Sequence, residues 1–277
     1  ETLYQKMRAL IIYLVISAVF IGCTPILSID ASTQSVYHFS DTDKNISLLD
    51  ISETFGTYDG SFVLYDNNLD SWKIYDLEEA TKRIPPESTY KIYDALLGLE
   101  SGIITPEHSS MTWNGDAFPF PSWEADQDLN SAMQNSVNWY FQAIDSQLGI
   151  NRVQEFLNKI EYGNQTTSSN LDLYWSDFSL KISPLEQVTL LKKFNTNEFH
   201  LNSQNVFSVK NAIKIASTPN GNFYGKTGTG RVNGQDINGW FIGYVETSDN
   251  SYYFATNIQS DSNLSLIHMS EPTRLQL

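Results

Sequence analysis

Sheet-like sequence lies at both ends of the globular part of this chain and helix-like sequence lies between, an order that few folds accommodate. Ser61-Phe62-Val63-Leu64-Tyr65, the turn Asp66-Asn67-Asn68 and Trp72-Lys73-Ile74-Tyr75 read as a β-hairpin. At the other end Asn222–Thr227, Trp240–Val245 and Tyr252–Ile258 are aromatic and β-branched, the last two joined by Ser248-Asp249-Asn250. Between them, Pro85-Pro86 breaks the chain and a helix follows with Ile92, Leu96 and Leu99 on one face. Leu129–Phe141 and Pro184–Phe194 also read as helices, separated by a loop-rich stretch carrying Tyr162-Gly163-Asn164 and Tyr174-Trp175. If the end strands join a common sheet, the result is one α+β domain. No internal repeat interrupts this pattern.

Upstream, residues 9–29 are almost wholly apolar, preceded by Lys6 and Arg8 and followed by Asp30. A bilayer is spanned by roughly 17–25 such residues. The basic flank predicts a cytoplasmic N-terminal side and an extracytoplasmic remainder. Phe20-Ile21-Gly22-Cys23 loosely matches a lipoprotein cleavage box, and an ordinary secretory signal has the same charge pattern. The expected organisation is a transmembrane helix over 1–29, a linker over 30–54, a folded domain over 55–264 and an atypical tail over 265–277. The first residue is Glu1, which favours an anchor inside a longer protein, with an upstream segment missing, over a signal peptide. The expected location is the cell membrane, with the domain outside.

The net charge of −15 excludes a nucleic-acid partner, because no basic stripe is available to neutralise phosphates. Cys23 is the single cysteine, so no intrachain disulfide forms. His38, His108, His200 and His268 are scattered without metal-ligand spacing, and no metal site is expected.

Three short motifs carry chemistry. Ser88-Thr89-Tyr90-Lys91 is an S-x-x-K at a helix start, where the serine and lysine share one face. A serine hydroxyl needs an adjacent base, and lysine serves only when neutral or modified, a state that burial favours. Lys226-Thr227-Gly228 follows Tyr224-Gly225 on a strand, offering a cation and an open backbone edge for a carboxylate and an amide. Ser136-Val137-Asn138 supplies a second hydroxyl able to relay a proton. Each motif alone is common, as a helix cap, a hairpin edge or a polar helical patch. Together and in this order, S-x-x-K, S-x-N and K-T-G resemble the S-x-x-K, S-D-N and K-T-G signature of serine β-lactamases and penicillin-binding proteins.

Pro85-Pro86-Glu87-Ser88-Thr89-Tyr90-Lys91, Tyr162-Gly163-Asn164, Tyr174-Trp175, Tyr224–Gly230 and Gly239–Tyr244 resemble the class D β-lactamase group. That group includes oxacillinases and the sensor domains of BlaR/MecR-type antibiotic receptors. The likeness covers roughly 55–258, and 89–114 and 132–142 resemble the receptor sensors more. It implies a central antiparallel sheet flanked by helices and β-lactam antibiotics as partners. It also implies roles: Ser88 attacks the lactam carbonyl, with Lys91 as base, typically as a CO2-derived carbamate that Trp175 bonds. Ser136 passes the proton to the lactam nitrogen with help from Lys226. The N–H groups of Ser88 and Thr229 form the oxyanion hole, and the Thr227 and Thr229 hydroxyls receive the antibiotic carboxylate beside Gly228. Class D hydrolases usually carry an apolar residue where Asn138 stands. A polar amide beside Lys91 is expected to disfavour the carbamate and prolong the acyl state. Three readings follow: a receptor sensor, a class D β-lactamase and a cell-wall transpeptidase. The sensor reading further implies upstream spans and a zinc-protease segment, neither visible in these residues.

Overall fold

The computed structural model describes residues 45–260 and Leu264. The expected membrane helix, most of the linker and the tail lie outside the described residues. No helix among those described is long and apolar enough to cross a membrane.

The two ends of the chain do meet in one sheet. Its seven strands are β1 (Ile46–Leu48), β2 (Asp59–Asp66), β3 (Ser71–Tyr75), β4 (Lys214–Thr218), β5 (Gly221–Val232), β6 (Gln235–Glu246) and β7 (Ser251–Gln259), in the order β1-β3-β2-β7-β6-β5-β4. The join is the antiparallel pairing of β2 with β7, where Val63 lies opposite Ala255. The sheet is mixed and not purely antiparallel, because β1 pairs with β3 in parallel. That strand comes from the segment read as linker, as does the short helix α1 (Ser52–Phe55).

Strand alternation sorts side chains to two faces. Val63 and Tyr65 of β2 and Tyr253 and Ala255 of β7 enter the large core under the helices. Phe62, Leu64 and Phe254 enter a smaller cluster on the opposite face, closed by Phe55 and Leu264. The helices are α2 (Leu77–Thr81), α3 (Lys91–Glu100), α4 (Leu129–Gln134), α5 (Asn138–Leu148), α6 (Ile150–Ile160), α7 (Pro184–Asn195) and α8 (Ser203–Ala212). Helix α3 is buried almost throughout, from Lys91 to Leu99. A helix so enclosed gives its polar groups no water, so each needs a partner inside the protein.

Two features differ from the sequence expectation. Residues 129–141 form two helices, because Ser136 takes a left-handed φ of 54° and α5 starts afresh at Asn138. The stretch before Tyr162 holds α6, with Val153, Phe156, Leu157 and Ile160 buried at helical spacing.

Candidate active site

A cleft of about 170 Å³ lies between the helices and β5, lined by Ser88, Ser136, Asn138, Thr227, Gly228 and Thr229 among others. Ser88 sits in a 3-10 turn, Glu87–Tyr90, that runs directly into α3. Pro86 cannot extend a helix backwards, and the sheet pins the turn from below. Trp240 Nε1 donates to the Pro85 carbonyl at 2.8 Å, and the Glu87 N–H donates to the Trp175 carbonyl at 3.0 Å. Thr89 Oγ1 donates to the Pro86 carbonyl at 2.6 Å and accepts from Gln187 Nε2 at 2.8 Å.

From this turn the Lys91 side chain reaches back to the serine. Its Nζ lies 2.7 Å from Ser88 Oγ and 2.7 Å from Asn138 Oδ1. The residue is 1% exposed, and Nζ lies 4.5 Å from the centre of the Trp175 ring. Burial, then the nearby Lys226 charge, holds the amine well below the usual lysine range, while Asp94 and Glu87 pull it back up. A neutral amine donates to the Asn138 carbonyl oxygen and keeps a lone pair for the serine proton. The arrangement therefore makes Ser88 a nucleophile with its base in contact.

The second hydroxyl comes from the break between α4 and α5. Its left-handed backbone turns Ser136 into the cleft, where Oγ accepts from Lys226 Nζ at 3.0 Å. Lys226 also donates to the Thr227 carbonyl at 2.9 Å. Burial alone lowers its pKa to about 7, so near neutral pH it exchanges protons readily with the hydroxyl it touches.

On the far wall β5 runs against the nucleophile turn. A Cβ at Gly228 would stand 3.1 Å from both Glu87 Cβ and the Pro86 carbonyl oxygen and 3.2 Å from the Ser88 backbone nitrogen, so a side chain here would press the turn away from the strand by a few tenths of an ångström. The Thr229 hydroxyl is buried and has no hydrogen-bond partner among the described residues. Beyond it Arg231 Nε bonds Asp236 Oδ1 at 2.6 Å at the cleft edge.

The structure thus brings Ser88, Lys91, Ser136, Asn138, Lys226, Thr227, Gly228 and Thr229 together, with Trp175 behind the lysine. Among the described residues its indole N–H makes no hydrogen bond of ordinary geometry, though it faces the Asp145 carboxyl. A buried amine held below the usual lysine range, with the Trp175 ring 4.5 Å away, fits a carbamate on Lys91.

Sequence reasoning missed Phe120, Ser122 and Trp123, which form a rim of the cleft, and Arg231 with Asp236. The signal for the rim was Phe118-Pro119-Phe120-Pro121-Ser122-Trp123, an aromatic-proline run with neither helix nor strand period. Glu87 was also missed. It is buried behind Gly228 and Gly230 and accepts from Asn238 Nδ2 at 3.3 Å, and burial raises its pKa to about 8. Among the described residues no group of three or more His, Cys, Asp or Glu is arranged to hold a metal ion.

Known proteins resemble this chain in sequence and fold. The chain is 44% identical over 261 residues to the regulatory protein BlaR1 of Bacillus licheniformis, covering 94% of this chain and 43% of that protein. The solved C-terminal domain of the Bacillus licheniformis BlaR penicillin-receptor is 44% identical, with a TM-score of 0.77 over 82% of this chain and 93% of that one. A class D β-lactamase from Bacillus subtilis is 35% identical, with a TM-score of 0.73 over 76% of this chain and 89% of that one. The chain spans less than half the length of the BlaR1 and mecR1 relatives it matches. The penicillin binding protein transpeptidase domain matches residues 56–272, and the chain belongs to that family.

Proposed function

We propose that this chain is the β-lactam-binding part of a membrane receptor, acylated at Ser88 and slow to release the adduct. The observation that carries the reading is the Lys91 amine held at 2.7 Å from both Ser88 Oγ and Asn138 Oδ1. The first contact activates the serine. The second occupies the amine with an amide that competes for the lysine whenever a carbamate is lost.

In acylation the Ser88 oxygen bonds to the lactam carbonyl carbon and its proton passes to the base at Lys91. The lactam C–N bond breaks, and its nitrogen takes a proton from the Ser136 hydroxyl, which Lys226 resupplies. The N–H groups of Ser88 and Thr229 receive the developing oxyanion. The Thr227 and Thr229 hydroxyls receive the antibiotic carboxylate. A carbamate on Lys91, held by Trp175, would supply an anionic base for the first step.

Intact mass against time for the full chain mixed with stoichiometric penicillin in bicarbonate buffer tests this. An adduct on Ser88 lasting hours supports the sensor. An adduct lost within seconds, with penicilloate appearing, supports a class D β-lactamase, the reading that the solved Bacillus subtilis relative favours. No adduct at all sinks both. The membrane placement, with the domain outside, rests on residues 9–29.

A further inference from the structure

Two wholly buried acids lie behind Lys91 and take no part in the steps above. Asp94 is one turn along α3 from Lys91, and Asp145 is two turns along α5 from Asn138, so each lies on the same side of its helix as the site residue. The two helices therefore meet twice: Lys91 with Asn138 at the cleft, and Asp94 with Asp145 inside. Neither Asp94 oxygen, nor Asp145 Oδ2, receives a hydrogen bond from an N–H or hydroxyl group of the described residues. The two carboxyls are within hydrogen-bonding reach of each other.

Two ionised carboxylates touching in an apolar interior are strongly unfavourable. One proton between them turns the contact into a bond and leaves one negative charge. Burial raises both acids, Asp145 to about 8. The surroundings support a single charge. Tyr174 Oη donates to Asp145 Oδ1 at 3.3 Å, the Trp175 indole N–H faces the same carboxyl, and Asp172 repels it from the adjoining loop. Tyr90 and Tyr140 close the other sides, both with hydroxyls held protonated by burial.

We propose that Asp94 and Asp145 share one proton, and that the negative charge they keep is a positioning charge that holds Lys91 as an ammonium once it has taken the Ser88 proton. Glu87, from the nucleophile turn, acts in the same sense when ionised. Lys226, from β5, acts against it, and the Trp175 and Phe141 rings lie 4.5 and 5.7 Å from the amine. An ammonium has no lone pair to activate water, so the pair lengthens the acyl state. That consequence rests on the function proposed above; the effect on Lys91 itself does not.

The test is a 13C NMR titration of the Lys91 ε-carbon in the full chain in detergent micelles, assigned by its loss in Lys91→Ala. Removing the charge takes the double variant Asp94→Asn/Asp145→Asn, which lowers the Lys91 midpoint by about one pH unit or more. Either single Asn variant keeps one carboxylate beside an amide donor and leaves the midpoint near that of the unsubstituted chain. A role in packing alone leaves the midpoint where it was in the double variant too, and an unmoved midpoint in the folded double variant overturns the proposal. Aspartate carboxyl 13C shifts of the unsubstituted chain at pH 7 give a reading that needs no variant. One protonated carboxyl in the pair is expected, and two ionised ones overturn it. A chain that titrates as expected but is not acylated refutes the receptor reading and leaves the pair intact.

Discussion

The helix wall and the strand wall of the cleft each bury a lysine, and they treat it differently. On the helix wall Lys91 is set among Ser88, Asn138 and the Trp175 ring, with Asp94 and Glu87 as opposing charges. On the strand wall Lys226 is lowered by burial alone and bonds only oxygens that carry no charge, Ser136 Oγ and the Thr227 carbonyl. Near Lys226 the strand wall otherwise offers Gly228, Gly230 and hydroxyls, with the Arg231–Asp236 pair at the cleft edge. The difference implies a division of labour. The helix wall sets when a proton moves and how long the acyl group stays, whereas the strand wall holds and orients what is bound.

The largest expected effect breaks the helix wall outright. Ser88→Ala abolishes the penicillin adduct in intact mass, and Lys91→Ala slows its formation by about a hundred- to ten-thousand-fold. A second effect concerns the contact between the walls. Glu87 has its pKa raised from 4.5 to about 8, so between those values the folded state holds a proton that the unfolded state has lost. Its contribution is full below pH 4.5 and fades as pH rises to 8. Lys226, lowered from 10.5 to about 7, gives stability that rises with pH above 7. Glu87→Gln therefore flattens the fall in stability between pH 5 and 7, by up to about 1.4 kcal/mol per pH unit in urea melts. Asp145 titrates in the same window and leaves a residual slope. An unchanged slope would show that Glu87 is not the group responsible.

Gly230→Ala comes next. Its new methyl would collide with Glu87 Oε1 and lie 3.0 Å from Asn238 Cβ, and Glu87 is too enclosed to swing away. The expected cost is about 1–3 kcal/mol of stability, together with slower acylation because the nucleophile turn is pushed off β5. Full stability with unchanged acylation would mean that the two walls are not mechanically joined at this point.

The parts of this site that were legible in the sequence are those set by short spacing. S-x-x-K at a helix start and K-T-G on a strand are each local, and the hairpin and the three last strands announce themselves by alternation. What stayed hidden depends on distant partners. No glycine or proline marks the break at Ser136; it arises because the Asp128/Ser131 capping box starts α4 and the chain must turn to place α5 against α3. Helix α6 did have its apolar spacing, at Val153, Phe156, Leu157 and Ile160, between charged residues that look like loop. Strand β1 was unreadable, since three residues pair in parallel only because β3 is already there. Asp94 and Asp145 were least visible of all. An aspartate in a helix is ordinarily solvated, and only the packing of α3 on α5 shows these two enclosed.

Asn138→Val sharpens the comparison from the helix side. Removing the amide that bonds Lys91 at 2.7 Å frees the amine, and deacylation should quicken by more than about tenfold. A lifetime no shorter than before would refute the competition argument.

Thr229→Val probes the strand side, with the smallest expected effect. The hydroxyl it removes is buried and makes no hydrogen bond among the described residues. An isosteric apolar residue therefore leaves stability unchanged or slightly raised, since the cost of burying an unsatisfied polar group disappears. What is lost is a bond to the charged carboxylate of the bound antibiotic, which slows acylation by about tenfold or less. Because that bond orients the ligand and does not touch Lys91, the adduct once formed should last as long as in the unsubstituted chain. Separate measurement of acylation and release decides the matter. A shortened adduct lifetime would mean that the strand wall, too, governs water at the ester, and the division between the walls would fail.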